Sequence, residues 1–214
     1  MKTYTYLHGF ASSPQSVKAQ QLRESFSAIG VALVIPDLNQ GDFFNLTLSR
    51  QIQQTRSLLP NDAFVTLIGS SLGGLTAAWV GEQSAQVERL ILLAPAFDFL
   101  AHWLPRIGSE QLQQWQATRS LQVYHYGEQK MLPLGYTFAT DAAQYKDNQL
   151  QRSIPTLILH GRQDEVISIE ASRNYAAQRP WVKLVELDSD HALGNVQVEI
   201  WQAIQDFCPE LKTC

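Results

Sequence analysis

Six short apolar runs punctuate the chain at residues 3–7, 31–35, 63–68, 89–93, 155–159 and 182–186. Most are rich in Val, Ile and Leu and too short for helices, so they predict buried strands. Stretches with a helical period lie between them. The first helix is expected from Ser13 as N-cap and Pro14 in the first turn to a stop at Gly30, with Ala19, Leu22, Phe26 and Ile29 on one face. Further helical patterns cover residues 46–59 (ended by Pro60), 72–80, 169–177 and 196–207. Strand and helix alternating in this way predict an α/β fold: a mostly parallel sheet of about six strands with helices on both faces.

One interval interrupts the rhythm. Some 60 residues between Leu93 and Pro155 hold no clear strand, yet carry Trp103, Trp115, Tyr124, Tyr126, Tyr136 and Phe138. A structureless loop of that length does not belong in a compact domain. The reading is a helical insert or cap at about 97–150, seated over one end of the sheet within a single domain spanning 1–214.

Composition narrows the function classes. The 214 residues are 45% hydrophobic and 17% charged, with 16 basic and 20 acidic side chains and a net charge of −4. Low charge with abundant apolar residues argues against disorder. An acidic balance offers no attraction to nucleic acid or to anionic lipid. The amino terminus lacks the apolar core of a signal peptide, and no apolar run reaches the ~18 residues of a membrane span. Cys208 and Cys214 are the only cysteines, too few for a disulfide framework and without a nearby His for a zinc site. These features lead us to expect a cytoplasmic protein with no metal site.

The sharpest local signal is Gly69-Ser70-Ser71-Leu72-Gly73, a G-x-S-x-G pattern. It directly follows a predicted strand and precedes a predicted helix, the setting of a nucleophile elbow. Such a turn exposes the hydroxyl of Ser71, which needs a base before it can attack a carbonyl. Of the five histidines, His191 lies in a loop after the last strand, where parallel sheets place functional groups. Asp164, in the loop after the preceding strand, is the acid that would orient it, with Glu165 and Asp190 as competitors. The chain order Ser71, Asp164, His191 is that of α/β-hydrolase triads. The oxyanion donors would be the backbone N–H groups of Leu72 and Phe10, with Gly9 letting the chain approach the carbonyl. His8 and His160, each ending a strand before a glycine, are read as satisfying backbone groups.

Residues 6–14 (Tyr-Leu-His-Gly-Phe-Ala-Ser-Ser-Pro), 69–74, 160–166 and Asp190-His191 together resemble the small α/β-hydrolases of the YqiA-type esterases. The insert, from Tyr126-Gly127-Glu128 through Leu134-Gly135-Tyr136-Thr137-Phe138 to Asp141, resembles the related acyl-protein thioesterases. The resemblance implies a cofactor-independent serine hydrolase of carboxylic esters or thioesters. Rival readings are a non-catalytic ligand-binding protein on the same fold, and a peptidase or carbon–carbon hydrolase sharing the triad. Gly9, Phe10, Trp103 and Trp115 are the expected substrate contacts. Tyr124 and Phe138 are further aromatics for an apolar pocket or for the core of the insert.

Overall fold

Residues 2–212 are described in a computed structural model; Met1, Thr213 and Cys214, one of the two cysteines, lie outside them. The chain begins β1 (Lys2–Leu7), α1 (Val17–Ala28), β2 (Leu33–Val34), α2 (Leu48–Ser57), β3 (Phe64–Ser70), α3 (Leu72–Gln83) and β4 (Val87–Leu93). The intervening segment holds α4 (Phe99–Ile107), α5 (Ser109–Thr118), β5 (Ser120–His125), β6 (Lys130–Gly135) and α6 (Thr137–Ala142). The chain continues with β7 (Thr156–Gly161), α7 (Ile169–Ala177), β8 (Val182–Leu187) and α8 (Gln197–Phe207).

Six of the strands form one parallel sheet of order β2-β1-β3-β4-β7-β8. Its two faces bury different side chains, as the period of two requires. On β3, Val65 and Leu67 join the core beneath α2, α3, α7 and the 97–150 segment, whereas Ile68 joins the core beneath α1 and α8. On that second face Phe26 of α1 is fully buried, 5.0 Å from Tyr4 and 5.1 Å from Trp201 between ring centroids. Burying a side chain of that size contributes about 1.5–3 kcal/mol. Helix α3 is buried from Leu72 to Gly81 on every side, which explains its lack of a polar stripe.

Three boundaries differ from the sequence reading. Helix α1 starts at Val17 with Ser16 at its N-cap, because residues 13–16 close a turn in which the Ser16 N–H bonds to Ser13 O. Strand β2 pairs only through Leu33 and Val34 at the sheet edge. Most consequential, residues 97–150 are not wholly helical: β5 and β6 form an antiparallel hairpin, Leu121 opposite Leu134. Its strands are covered on one side only, so Gln122 and Tyr124 alternate with Leu121 and Val123 and no continuous apolar run announces them.

The strand order reverses between β1 and β3. After β1 the chain steps outward to β2, then returns to the other side of β1. A crevice opens at such a reversal, outside the carboxyl ends of the strands. The register aligns Leu7 with Gly69 and Gly161 with Leu187. The loop after β1 therefore meets Ser71, and the loops carrying Asp164 and His191 lie side by side.

Candidate active site

Ser71 sits at the turn from β3 into α3 with φ 52° and ψ −118°, a left-handed backbone that side-chain-bearing residues rarely adopt. The surroundings hold it there. Its N–H donates to Leu93 O, and its carbonyl accepts from the N–H groups of Gly74, Leu75 and Ala96. The turn closes tightly enough that a Cβ on Gly69 would stand 2.3 Å from Gly73 O. Backbone held in this way at a partly buried hydroxyl is the kind of strain found at functional sites.

Leu72, the first residue of α3, and Phe10 each have an N–H that no hydrogen bond from the described residues takes up. The Phe10 amide belongs to the peptide whose carbonyl is Gly9 O, and fully buried His8 orients that peptide. His8 Nε2 accepts from the Leu38 N–H at 3.0 Å, so Nδ1 carries the proton and donates to Gly9 O at 3.0 Å. Gly9 lies against the end of β3: a Cβ there would stand 3.5 Å from Ser71 Cβ.

Asp164 leaves β7 in a loop that folds back on its own carboxylate. Oδ1 accepts from the Val166 and Ile167 N–H groups, both at 2.8 Å. Oδ2 accepts from His191 Nδ1 at 2.7 Å and lies 3.0 Å from His160 Nε2. The side chain is fully buried. Burial alone would favour the neutral acid, but the bonds from His160, His191 and Ile167, with the electrostatic pull of the His191 ring, hold the carboxyl far below the usual carboxylate range. Of the three candidate acids, Asp164 is the one against His191; Asp190 instead caps the Ala192 and Leu193 N–H groups.

Ser71 and His191 open onto one cavity of about 1180 Å³. Phe10, Phe99, Trp103, Ile107, Leu121 and Val123 give it an apolar side. Gly9, Phe10 and Trp103 thus reach the cavity, as does Tyr124 from β5. Trp115 does not. It is fully buried, donates Nε1–H to Leu134 O at 2.9 Å and packs edge-on to Trp103 at 5.5 Å, so it ties α5 to the hairpin rather than touching a ligand. Phe138 is likewise fully buried, stacked on Phe10 with centroids 5.2 Å apart.

Lys18 of α1 also lines the cavity, although nothing in the period of α1 separates it from solvent-facing neighbours. Its Nζ donates to Ser70 Oγ at 2.9 Å. Burial pushes the ammonium down to about 8, against the pull of Asp164 and Asp190. A lysine whose folded value falls below 10.5 costs stability while it stays charged. The cost is full below about pH 8 and is relieved as pH rises from there toward 10.5. Lys18→Met is therefore expected to raise the melting temperature at pH 7 by roughly 2–4 °C, about 1 kcal/mol. The gain should shrink at pH 10, and thermal melts at the two values check both signs.

Among the described residues no group of three or more His, Cys, Asp or Glu is placed to hold a metal ion, and no helix is long and apolar enough to cross a membrane.

A family model described as "Uncharacterised protein family (UPF0227)" matches residues 3–208. No curated protein matches the chain significantly. Among solved structures, the chain is similar to the mouse alpha/beta hydrolase domain-containing protein 10 at 20% identity and a TM-score of 0.81, covering 98% of this chain and 90% of that one. It is also similar to Est1E of Butyrivibrio proteoclasticus with bound ferulic acid, at 21% identity and a TM-score of 0.79, covering 100% and 90%. The esterase Pf2001 of Pyrococcus furiosus follows at 17% identity and a TM-score of 0.64, covering 98% and 83%. At these identities the likeness establishes the α/β-hydrolase fold.

Proposed function

The chain belongs to the UPF0227 family, and we propose that it is a serine hydrolase cleaving carboxylic ester or thioester bonds of a small or acyl-chain substrate. The observation that carries this reading is the meeting of Ser71, held at φ 52° on the N-terminus of α3, with His191, backed by buried Asp164 at 2.7 Å, in one cavity. Each part then has a role. His191 Nε2, on the ring side away from Asp164, takes the proton of Ser71 Oγ as the oxygen attacks the acyl carbonyl. The Phe10 and Leu72 N–H groups receive the oxyanion, each lowering the barrier by roughly 3 kcal/mol. His191 returns the proton to the departing alcohol or thiol. Water activated by the same imidazole then attacks the acyl–Ser71 ester, and the acid leaves. The apolar side of the cavity, from Phe10 to Val123, suits an acyl chain or aryl group. The buried free thiol of Cys208 fits a cytoplasmic enzyme.

The test is a fluorophosphonate probe with peptide mapping, run beside an acyl-chain series of p-nitrophenyl esters and matching thioesters. Covalent phosphonylation of Ser71, with turnover of part of the series, is the expected result. An unlabelled Ser71 and no turnover would instead identify a ligand-binding protein on a hydrolase fold.

A further inference from the structure

We propose that His160 is a positioning residue that clamps the Asp164 carboxylate against His191. The inference rests on the hydrolase reading for its kinetic consequence, not for its geometry. His160 is the penultimate residue of β7, four residues before Asp164, and is fully buried. Its Nε2 faces two acceptors, Asp164 Oδ2 at 3.0 Å and Ile167 O at 3.0 Å. Neither can donate while the carboxylate is ionised, so the proton must reside on Nε2. Nδ1 lies 2.8 Å from Ser172 Oγ on α7, whose hydroxyl supplies the complementary donor. Ser172 is itself fully buried, so its hydroxyl makes no direct contact with bulk water.

The chain of contacts runs Ser172, His160, Asp164, His191 and leads from the helix layer to the cavity. Its effect is rotational. Oδ1 is tied to two backbone amides of a loop, which fix one end of the carboxylate. Oδ2 accepts from two imidazoles approaching from different elements, β7 and the loop after β8. Without His160, the plane of the carboxylate would be set on the Oδ2 side by His191 alone, the group that must itself be oriented. An imidazole fixed by β7 and α7 supplies a reference that does not move with the His191 loop. A turned carboxylate would turn His191 with it, and angular error at a proton-transferring group is costly.

The experiment uses the full chain with a p-nitrophenyl ester that the wild type hydrolyses. His160→Leu, close in volume but without a donor, is expected to lower kcat by up to about 10²-fold with KM within roughly twofold. His160→Gln, which can present an amide N–H near the place of Nε2, is expected to recover most of that loss. Ser172→Ala, the milder change, should lower kcat in the same direction and decides the matter if His160→Leu does not fold. A second readout needs no substrate: the low-field proton resonance of the His191–Asp164 hydrogen bond, expected to shift in His160→Leu and to return in His160→Gln. Wild-type kcat and an unmoved resonance in His160→Leu, or in Ser172→Ala where the former is insoluble, would overturn the proposal. Loss of kcat that His160→Gln does not recover, with the resonance unmoved, would also overturn it by marking a packing role. If instead the wild type hydrolyses nothing and the probe leaves Ser71 unlabelled, the hydrolase reading falls, while the resonance still decides the role of His160.

Discussion

Ser71→Ala is expected to lower kcat on any ester the protein turns over by about 10⁴- to 10⁶-fold, with little change in KM. The hydroxyl oxygen is the atom that would carry the acyl group, and no neighbouring side chain on the turn can replace it. Ser70 lies next in sequence, but its hydroxyl accepts from Lys18 Nζ at 2.9 Å and its side chain is buried. The cavity, the Phe10 and Leu72 amides and the His191–Asp164 pair would all persist, so binding should survive while chemistry fails. A mutant keeping more than a tenth of wild-type kcat would sink the assignment of the nucleophile. The same position carries a stability prediction of opposite sign. Alanine inherits the strained φ of 52°, whereas glycine does not. Ser71→Gly should therefore melt above Ser71→Ala by roughly 2–4 °C, corresponding to about 1 kcal/mol. Equal melting temperatures would mean that the turn is not strained.

Gly73→Ala is expected to be among the most damaging single methyl groups that could be added to the protein. A Cβ on Gly73 would stand 2.2 Å from Leu7 O and 2.5 Å from His8 O. Both are backbone atoms at the end of β1, and neither can yield by a rotamer change. Leu7 is held in the ladder opposite Gly69, and His8 is pinned through its ring to Leu38 and Gly9. The first turn of α3 would have to lift off β1, separating Ser71 from the loop that bears the Phe10 amide. Overpacking against fixed backbone costs about 3 kcal/mol or more, a fall of roughly 6–12 °C in melting temperature. Activity per folded molecule should drop as well, because the displaced amides belong to the proposed oxyanion hole. Gly194→Ala is the control: no atom lies within 4 Å of a Cβ there. Gly73→Ala melting within a degree or two of wild type would contradict the close approach of α3 to β1.

Much of this site is legible before any coordinate is known, for a reason particular to parallel sheets. Fully buried strands must be apolar on both faces, so runs such as 63–68 and 155–159 stand out from the helices between them. Once strands are placed, the loops after their carboxyl ends are known, and the chemistry of this fold collects there. Ser71, Asp164 and His191 could be singled out because each follows a different strand in that way. The choice of Asp164 over Glu165 and Asp190 also had a local basis, since a carboxylate adjacent to His191 in sequence cannot easily face its ring.

Other features left weaker traces. The β5–β6 hairpin alternates apolar and polar side chains over six residues, a pattern too short to outweigh the surrounding helical periods. Trp103 and Trp115 both read as insert aromatics, yet one lines the cavity and the other is sealed beneath the hairpin. Composition cannot separate them, because a buried aromatic and a ligand-facing one are chosen for the same apolar area. Lys18 reads as an ordinary surface lysine of α1 until the packing of that helix against the end of β3 turns it inward. His160 was expected to serve backbone groups. It does bond to Ile167 O, but the fold of the loop after β7 also brings Asp164 Oδ2 to the same nitrogen.

The sequence by itself determined the α/β class, the order of the six sheet strands and of the helices outside residues 97–150, and the three loops where the chemistry would lie. All of these follow from periodicity and chain order, which are properties of neighbours along the chain. Only the tertiary structure decided which aromatics face the cavity, that Lys18 is drawn into it, and that a second histidine holds the Asp164 carboxylate. Those outcomes depend on which atoms converge from β1, β3, β7 and β8 at a single crevice, and convergence is set by packing between elements that are far apart in sequence.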